Sequence, residues 1–268
     1  MNILEKMRRV IRRILGSDSE LYRFGASLLD FIYIVKTDGF VTWRKIEKLK
    51  RKKRKGMLTQ EINLKNLNYP ILVRPGTKDL STIVNNVVRE EYGHFTPVQD
   101  PQWMIDAGAY IGDTSAYFLS KYPNLRVIAI EPNPKSFKMA RDNLRPYGKR
   151  VTLLKKGLFS NEKNQYFSGD NTGASISTSG IEIECTTIPF LLRHYDIARL
   201  DILKIDIEGA EESIFSAKPE SWLNLVGLMI IEIHGSKIES LISSVLKRNG
   251  FMMKRYRSVW YCWSKSNC

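Results

Sequence analysis

Cysteine is scarce in this chain. There are three in 268 residues, Cys185, Cys262 and Cys268, with no C-x-x-C pair among them. That spacing supports no disulfide framework and favours a reducing compartment. Long apolar runs are missing too. The longest candidate, Phe24 to Val35, falls short of the about 20 residues that a membrane span needs, and it contains Asp30. No apolar stretch followed by a small-residue cleavage site marks the N-terminus, so a cytoplasmic protein is expected. Acid is in deficit, with 28 Asp and Glu against 42 Lys and Arg and a net charge of +14. What is present suits a globular protein: 43% of residues are hydrophobic, and the length allows one large core or one domain with an appendage.

The positive charge is unevenly placed. Residues 1–60 hold sixteen Lys and Arg against six Asp and Glu, and the densest part is Lys48 to Lys55. Apolar residues Ile3, Leu4, Met7, Val10, Ile11, Ile14 and Leu15 recur at helical spacing, with Arg8, Arg9, Arg12 and Arg13 opposite. Further helices are expected over Glu20 to Val35 and from Val41 into the basic cluster. The division drawn from this pattern is a basic helical extension, 1–58, and a main domain, 59–268. Two readings of the extension stand side by side: a solvated appendage packed partly on the core, or peripheral contact with an anionic membrane, which would place the protein at the membrane's inner face. The basic block lacks the interleaved aromatics that stack on bases, so no specific nucleic-acid partner is expected.

Beyond Gly56 the pattern changes. Glu61–Leu64 and Tyr69–Gly76 read as short strands and Asp79–Tyr92 as a helix. From Trp103 strands and helices alternate: strands at 102–106, 126–131, 150–155, 201–206 and 226–233, helices near 113–121, 134–145, 209–216 and 236–248. Alternation of this kind implies a parallel sheet with crossover helices. Residues 155–200 form an insertion with strands near 164–168 and 180–186, a Gly/Ser/Thr-rich loop from Ser168 to Gly180, and a helix from Thr187 to Tyr195. Phe251–Tyr256 and Val259–Ser264 form a closing hairpin. An α/β fold, mostly parallel with a C-terminal antiparallel hairpin, is the Rossmann-like pattern of class I methyltransferases.

The chemistry concentrates at strand ends. After the first long strand the chain reads Asp106-Ala107-Gly108-Ala109-Tyr110-Ile111-Gly112-Asp113-Thr114. This is not the G-x-G-x-x-G of dinucleotide sites. An acid so close to the turn is awkward for a pyrophosphate and suits a cationic ligand such as S-adenosylmethionine (SAM). Glu131 ends the next strand, 19 residues beyond Gly112, where an acid can accept both hydrogen bonds of a ribose diol. Asp206 and Glu208 follow the fourth strand. Glu232 and His234 close the fifth and share one side of it. His234 can serve as a general base near neutral pH. Glu232 is left with several uses: orienting the imidazole, joining a metal site, or ending a strand. Together Asp206, Glu208, Glu232 and His234 also offer ligands for Mg²⁺ or Mn²⁺, although no metal site is predicted. His94 falls in a segment that could fold over the site, and His194 has no such context.

Asp106-Ala-Gly-Ala-Tyr-Ile-Gly112, Glu131-Pro-Asn-Pro134, Lys204-Ile-Asp-Ile-Glu-Gly-Ala-Glu211 and Ile231-Glu-Ile-His234 together resemble the FkbM-type methyltransferases. Leu72–Asp79 and Glu91-Tyr92 resemble that family's upstream segment, and the likeness covers roughly residues 70–262. The resemblance implies SAM-dependent O-methylation of a hydroxyl or carboxyl group, with a polyketide, glycan, lipid-linked sugar or related metabolite as acceptor. It implies a cofactor-binding set of Asp106, Gly108, Ala109, Tyr110, Ile111, Gly112, Asp113, Thr114, Glu131, Pro132, Asn133, Gly157 and Asp206. The catalytic set is Asp206 and Glu208, with His234 added from geometry. The alternatives are an RNA methyltransferase, against which stands the missing N/D-P-P-Y/F motif after strand four, and a non-catalytic adaptor that keeps the fold.

Overall fold

Side chains of the central strands alternate between two buried faces, and this alternation decides the architecture. The computed structural model describes residues 20–52, 58–168, 175–177, 180–207 and 209–264. In chain order, helices α1 (Glu20–Asp38) and α2 (Phe40–Lys50) come first. Strands β1 (Gln60–Ile62) and β2 (Ile71–Val73) and helix α3 (Asp79–Ile83) follow. The repeating core then runs β3 (Trp103–Ala107), α4 (Asp113–Lys121), β4 (Arg126–Ile130), α5 (Pro134–Leu144) and β5 (Val151–Leu154). The insertion holds β6 (Gly157–Leu158), β7 (Gln165–Ser168), β8 (Ser175–Ser177), β9 (Ile181–Ile183), β10 (Cys185–Thr186) and α6 (Ile188–His194). The chain closes with β11 (Leu200–Ile205), α7 (Glu211–Ser216), β12 (Val226–Glu232), α8 (Ser236–Arg248), β13 (Phe251–Tyr256) and β14 (Val259–Ser264).

Seven strands form one sheet in the order β13-β14-β12-β11-β3-β4-β5. From β12 to β5 every pairing is parallel, and β14 runs antiparallel to both its neighbours. Even-numbered Met104, Ile202, Leu228 and Ile230 enter one buried cluster. Odd-numbered Ile105, Leu203, Met229 and Ile231 enter the other, on the opposite face. The first cluster also takes Ile34 from α1 and Ile46 and Leu49 from α2, so the described part of the N-terminal extension shares a core with the main domain.

The expected elements appear with small shifts. The helix expected over 79–92 is shorter. After Ile83 the chain opens into one wide turn, Val84–Val88, closed by a bond from Arg89 N to Val84 O, and Glu90 takes a φ of 52°. Within the Gly/Ser/Thr-rich loop, β8 pairs antiparallel with β7, an extra strand that the loop's composition hid. The helix expected over 3–15 lies outside the described residues.

Candidate active site

Four strand ends meet where Ala107, Ile130, Ile205 and Glu232 finish their strands, and parallel register places the chemistry there. Lys204 lies opposite Asp106 in the β11–β3 ladder. Both side chains are almost fully buried, with Nζ 3.1 Å from Oδ1. The ammonium also donates to the carbonyls of Gly108 at 2.6 Å and Ala107 at 3.2 Å. Ser115 Oγ donates to the other Asp106 oxygen at 2.6 Å. Three carboxylates outweigh the cost of burial, so the Lys204 pKa is raised. Asp106, expected to meet a cationic ligand, is fully buried and paired with Lys204, and through Lys204 it is tied to the loop carbonyls. Asp206, half-buried and 3.8 Å from Lys204, is the acid of this group that keeps an exposed surface.

The loop is held from both sides. Gly108 has a φ of 78°, and a Cβ built there would lie 1.8 Å from the Asp206 carbonyl oxygen. The space that a side chain would need is thus filled by the neighbouring strand end rather than by a ligand. Gly112, at φ 82°, packs on Leu144. Gly108 N and Ala109 N both donate to Ile130 O, while Ile111 and Thr114 are buried. Tyr110 N donates to Glu131 at 2.8 Å, and its hydroxyl donates to Asp79 at 2.6 Å. Asp79 in turn takes two hydrogen bonds from the Arg74 guanidinium. Asn86, in the wide turn, donates to Asp113 at 2.9 Å; burial raises the Asp113 pKa to about 7.

Glu131 is 6% exposed, and its two oxygens accept from Tyr110 N and Asn133 N, both at 2.8 Å. Burial outweighs these bonds and lifts its pKa to about 7. Each oxygen keeps a second lone pair, which is what a cis-diol requires. Asn133 caps α5, its side chain accepting from Lys135 N and Ser136 N, and Pro132 stands half-buried beside it. Gly157 sits in the short β6–β10 pair, where a Cβ would meet Ile183 and Cys185. Glu208 lies outside the described residues.

At the other end of the site His234 Nδ1 is 2.7 Å from Glu211 Oε1, and Nε2 is 4.0 Å from Asp206 Oδ1. Glu211 is fully buried at the first residue of α7. The residue that orients the imidazole is thus Glu211, which as a sequence feature reads equally well as a helix-dipole acid. Glu232 turns instead toward Tyr92, whose Oη lies 3.1 Å from Glu232 Oε2 and 3.0 Å from Asp206 Oδ2. Burial, with Asp206 and Glu91 nearby, raises the Glu232 pKa, against the lowering influence of His234 and of the Tyr92 hydroxyl. Tyr92 is pushed far up by burial and the same acids, and it stays a neutral phenol.

Lys204 and Tyr92 fall within stretches that carry the family resemblance, but neither was given a role there. A cation in an otherwise apolar strand, in parity with Asp106, was the available signal for Lys204. For Tyr92 the signal was the Glu91-Tyr92 likeness alone. His94 stacks on Tyr256 at 3.6 Å, on the C-terminal hairpin, and His194 stacks on Phe190. Among the described residues no group of three or more His, Cys, Asp or Glu is arranged to hold a metal ion.

A parallel sheet ordered in this way, with one antiparallel strand slotted between the last parallel strand and the edge, defines a class I methyltransferase fold. The family model for the methyltransferase FkbM domain matches residues 106–253, and the chain belongs to this family. It is similar to methyltransferase sdnD of Sordaria araneosa, 26% identical over an alignment of 201 residues that covers 59% of this chain and 76% of that protein. It is also similar to methyltransferase 1 of Beauveria bassiana, 21% identical over an alignment of 233 residues that covers 76% of this chain and 93% of that protein. The crystal structure of an FkbM methyltransferase from Methylobacillus flagellatus KT aligns at 19% identity and a TM-score of 0.46, over 69% of this chain and 53% of that one. Membership implies SAM as methyl donor. The donor set here fits its polar parts, with Glu131 for the ribose diol and half-exposed Asp206 for a cationic end.

Proposed function

We propose that this protein O-methylates a hydroxyl group of a glycan, a lipid-linked sugar or a related small metabolite. The observation that carries the proposal is the Glu211–His234 hydrogen bond beside Asp206. A carboxylate at Nδ1 accepts its proton and so leaves Nε2 with the lone pair that a base needs. An alcohol is a weak nucleophile until its proton is drawn away, so a base of this kind serves a hydroxyl acceptor.

When bound, SAM supplies an electrophilic methyl group on a sulfonium. The protein's tasks are alignment and proton removal. Glu131 holds the ribose, and the Lys204–Asp106 pair keeps the loop rigid. Asp206 positions the acceptor beside His234, and His234 Nε2 takes the hydroxyl proton. Glu211 stabilises the imidazolium that forms.

The test uses a strain that lacks the protein. Mass spectrometry of its glycans and lipids should show a species lighter by one CH₂, restored by the wild-type gene and not by His234→Ala. Purified His234→Ala should bind SAM as the wild type does in calorimetric titration. Restoration by His234→Ala would remove His234 as the base, and failure of the wild type to bind SAM would favour an adaptor.

A further inference from the structure

Helix α2 buries Ile46 and Leu49 and turns a second face outward. Its exposed residues are Phe40, Val41, Arg44, Lys45 and Lys48, and Arg51 continues them just beyond the helix. Positions 41, 44, 45 and 48 form one stripe at helical spacing. Between residues 36 and 52 no acidic residue is exposed: Asp38 is half-buried, and Glu47 is held by Lys50 at 2.9 Å. The apolar end of the stripe is also its tip. Phe40 is 51% and Val41 81% exposed, directly after Gly39, the single residue joining α1 to α2. Nothing lies within 4 Å of the position a Gly39 Cβ would take, so no other segment covers the chain there.

We propose that this face of α2 docks on an anionic lipid bilayer. Phe40 and Val41 enter the boundary between headgroups and acyl chains, and Arg44, Lys45, Lys48 and Arg51 meet the lipid phosphates. An apolar tip ringed by cations fits an interface that is apolar below and anionic above. RNA would use the cations but has no place for an exposed valine, and Phe40 already packs on Trp43 at 5.2 Å. A second copy of the chain would bring the same cations face to face in a symmetric contact. The sequence after α2 continues as Lys52-Lys53-Arg54-Lys55, of the same sign. Docking here is independent of the acceptor and of the His234 chemistry.

The experiment is co-flotation of the full chain with vesicles of phosphatidylglycerol and phosphatidylcholine, or of phosphatidylcholine alone. The wild type should float with the anionic vesicles only, and less so at high salt. Arg44→Glu/Lys45→Glu/Lys48→Glu should lose at least about a hundredfold in partitioning, since each cation near such a surface is worth about fivefold. Val41→Ser, at a side chain the fold does not bury, should weaken binding several-fold (about three- to tenfold) with an unchanged thermal midpoint. Equal flotation with neutral vesicles, or wild-type binding by both variants, would overturn the proposal. So would dimerisation abolished by Val41→Ser, or poly-uridine binding that the charge reversal abolishes while vesicle binding persists.

Discussion

Glu211 and His234 make a pair whose parts differ sharply in exposure: the acid is fully buried, and the imidazole is 30% exposed on its side chain. The buried partner sets the tautomer, and in the proposed reaction the exposed one meets the acceptor. Glu211→Gln keeps the shape but can place an amide N–H against Nδ1, so it should cut turnover by about 10²–10⁴ with little change in SAM affinity. Comparing methylation rate with calorimetric affinity checks the split. Lys204 is structural in the same neighbourhood. Replacing it with Met would strand Asp106, a buried carboxylate that has Ser115 as its other partner. A loss of about 3–5 kcal/mol is expected, read from urea midpoints. Asp106, Glu131, Asp206 and His234 were all legible as residues at strand ends. Their individual partners were not, because a side-chain pairing across the sheet leaves no trace in local spacing.

Elements place these residues through close backbone approach. The end of β3 and the end of β11 touch at Gly108, where Asp206 N also donates to Ala107 O at 3.1 Å. Gly108→Ala adds both a clash with a backbone carbonyl and a strained φ. It should destabilise by several kcal/mol (about 2–4) and displace Asp206, which thermal melts and SAM titration would register together. The segment after the wide turn works as a clamp. Tyr92 reaches Asp206 and Glu232, Glu91 accepts from Ser258 on the hairpin turn, and Tyr261 of β14 donates to Glu91 O. Strand and helix positions followed from periodicity. The shortened helix before this clamp did not, because no Gly or Pro marks the widening at Val84–Val88, where Asn86 donates to Asp113.

For the whole molecule, two buried acids with pKa raised to about 7, Asp113 and Glu131, set a pH dependence. Unfolded, both ionise near pH 4, so between about pH 4.5 and 7 the folded state binds more protons than the unfolded one. Their contribution to stability is therefore greatest below pH 4 and is lost as pH rises through 7, at about 1.4 kcal/mol per pH unit for each group. Glu131→Gln should remove its share of that slope in urea unfolding measured at pH 5, 6, 7 and 8. SAM affinity should move the opposite way, rising toward pH 8 as Glu131 ionises to accept the ribose hydroxyls.

Turn chemistry and the two periodicities are local properties, so the sequence by itself determined the parallel sheet, the closing hairpin and the strand ends where chemistry gathers. Tertiary structure alone decided which charges face one another. Asp106 is neutralised by Lys204, His234 is oriented by Glu211 and not by its strand neighbour Glu232, and the room beside Gly108 is taken by Asp206. Each of these is a contact between chain segments distant in sequence, and in a buried site the free energy of a charge is set by whatever atoms lie within a few ångströms of it.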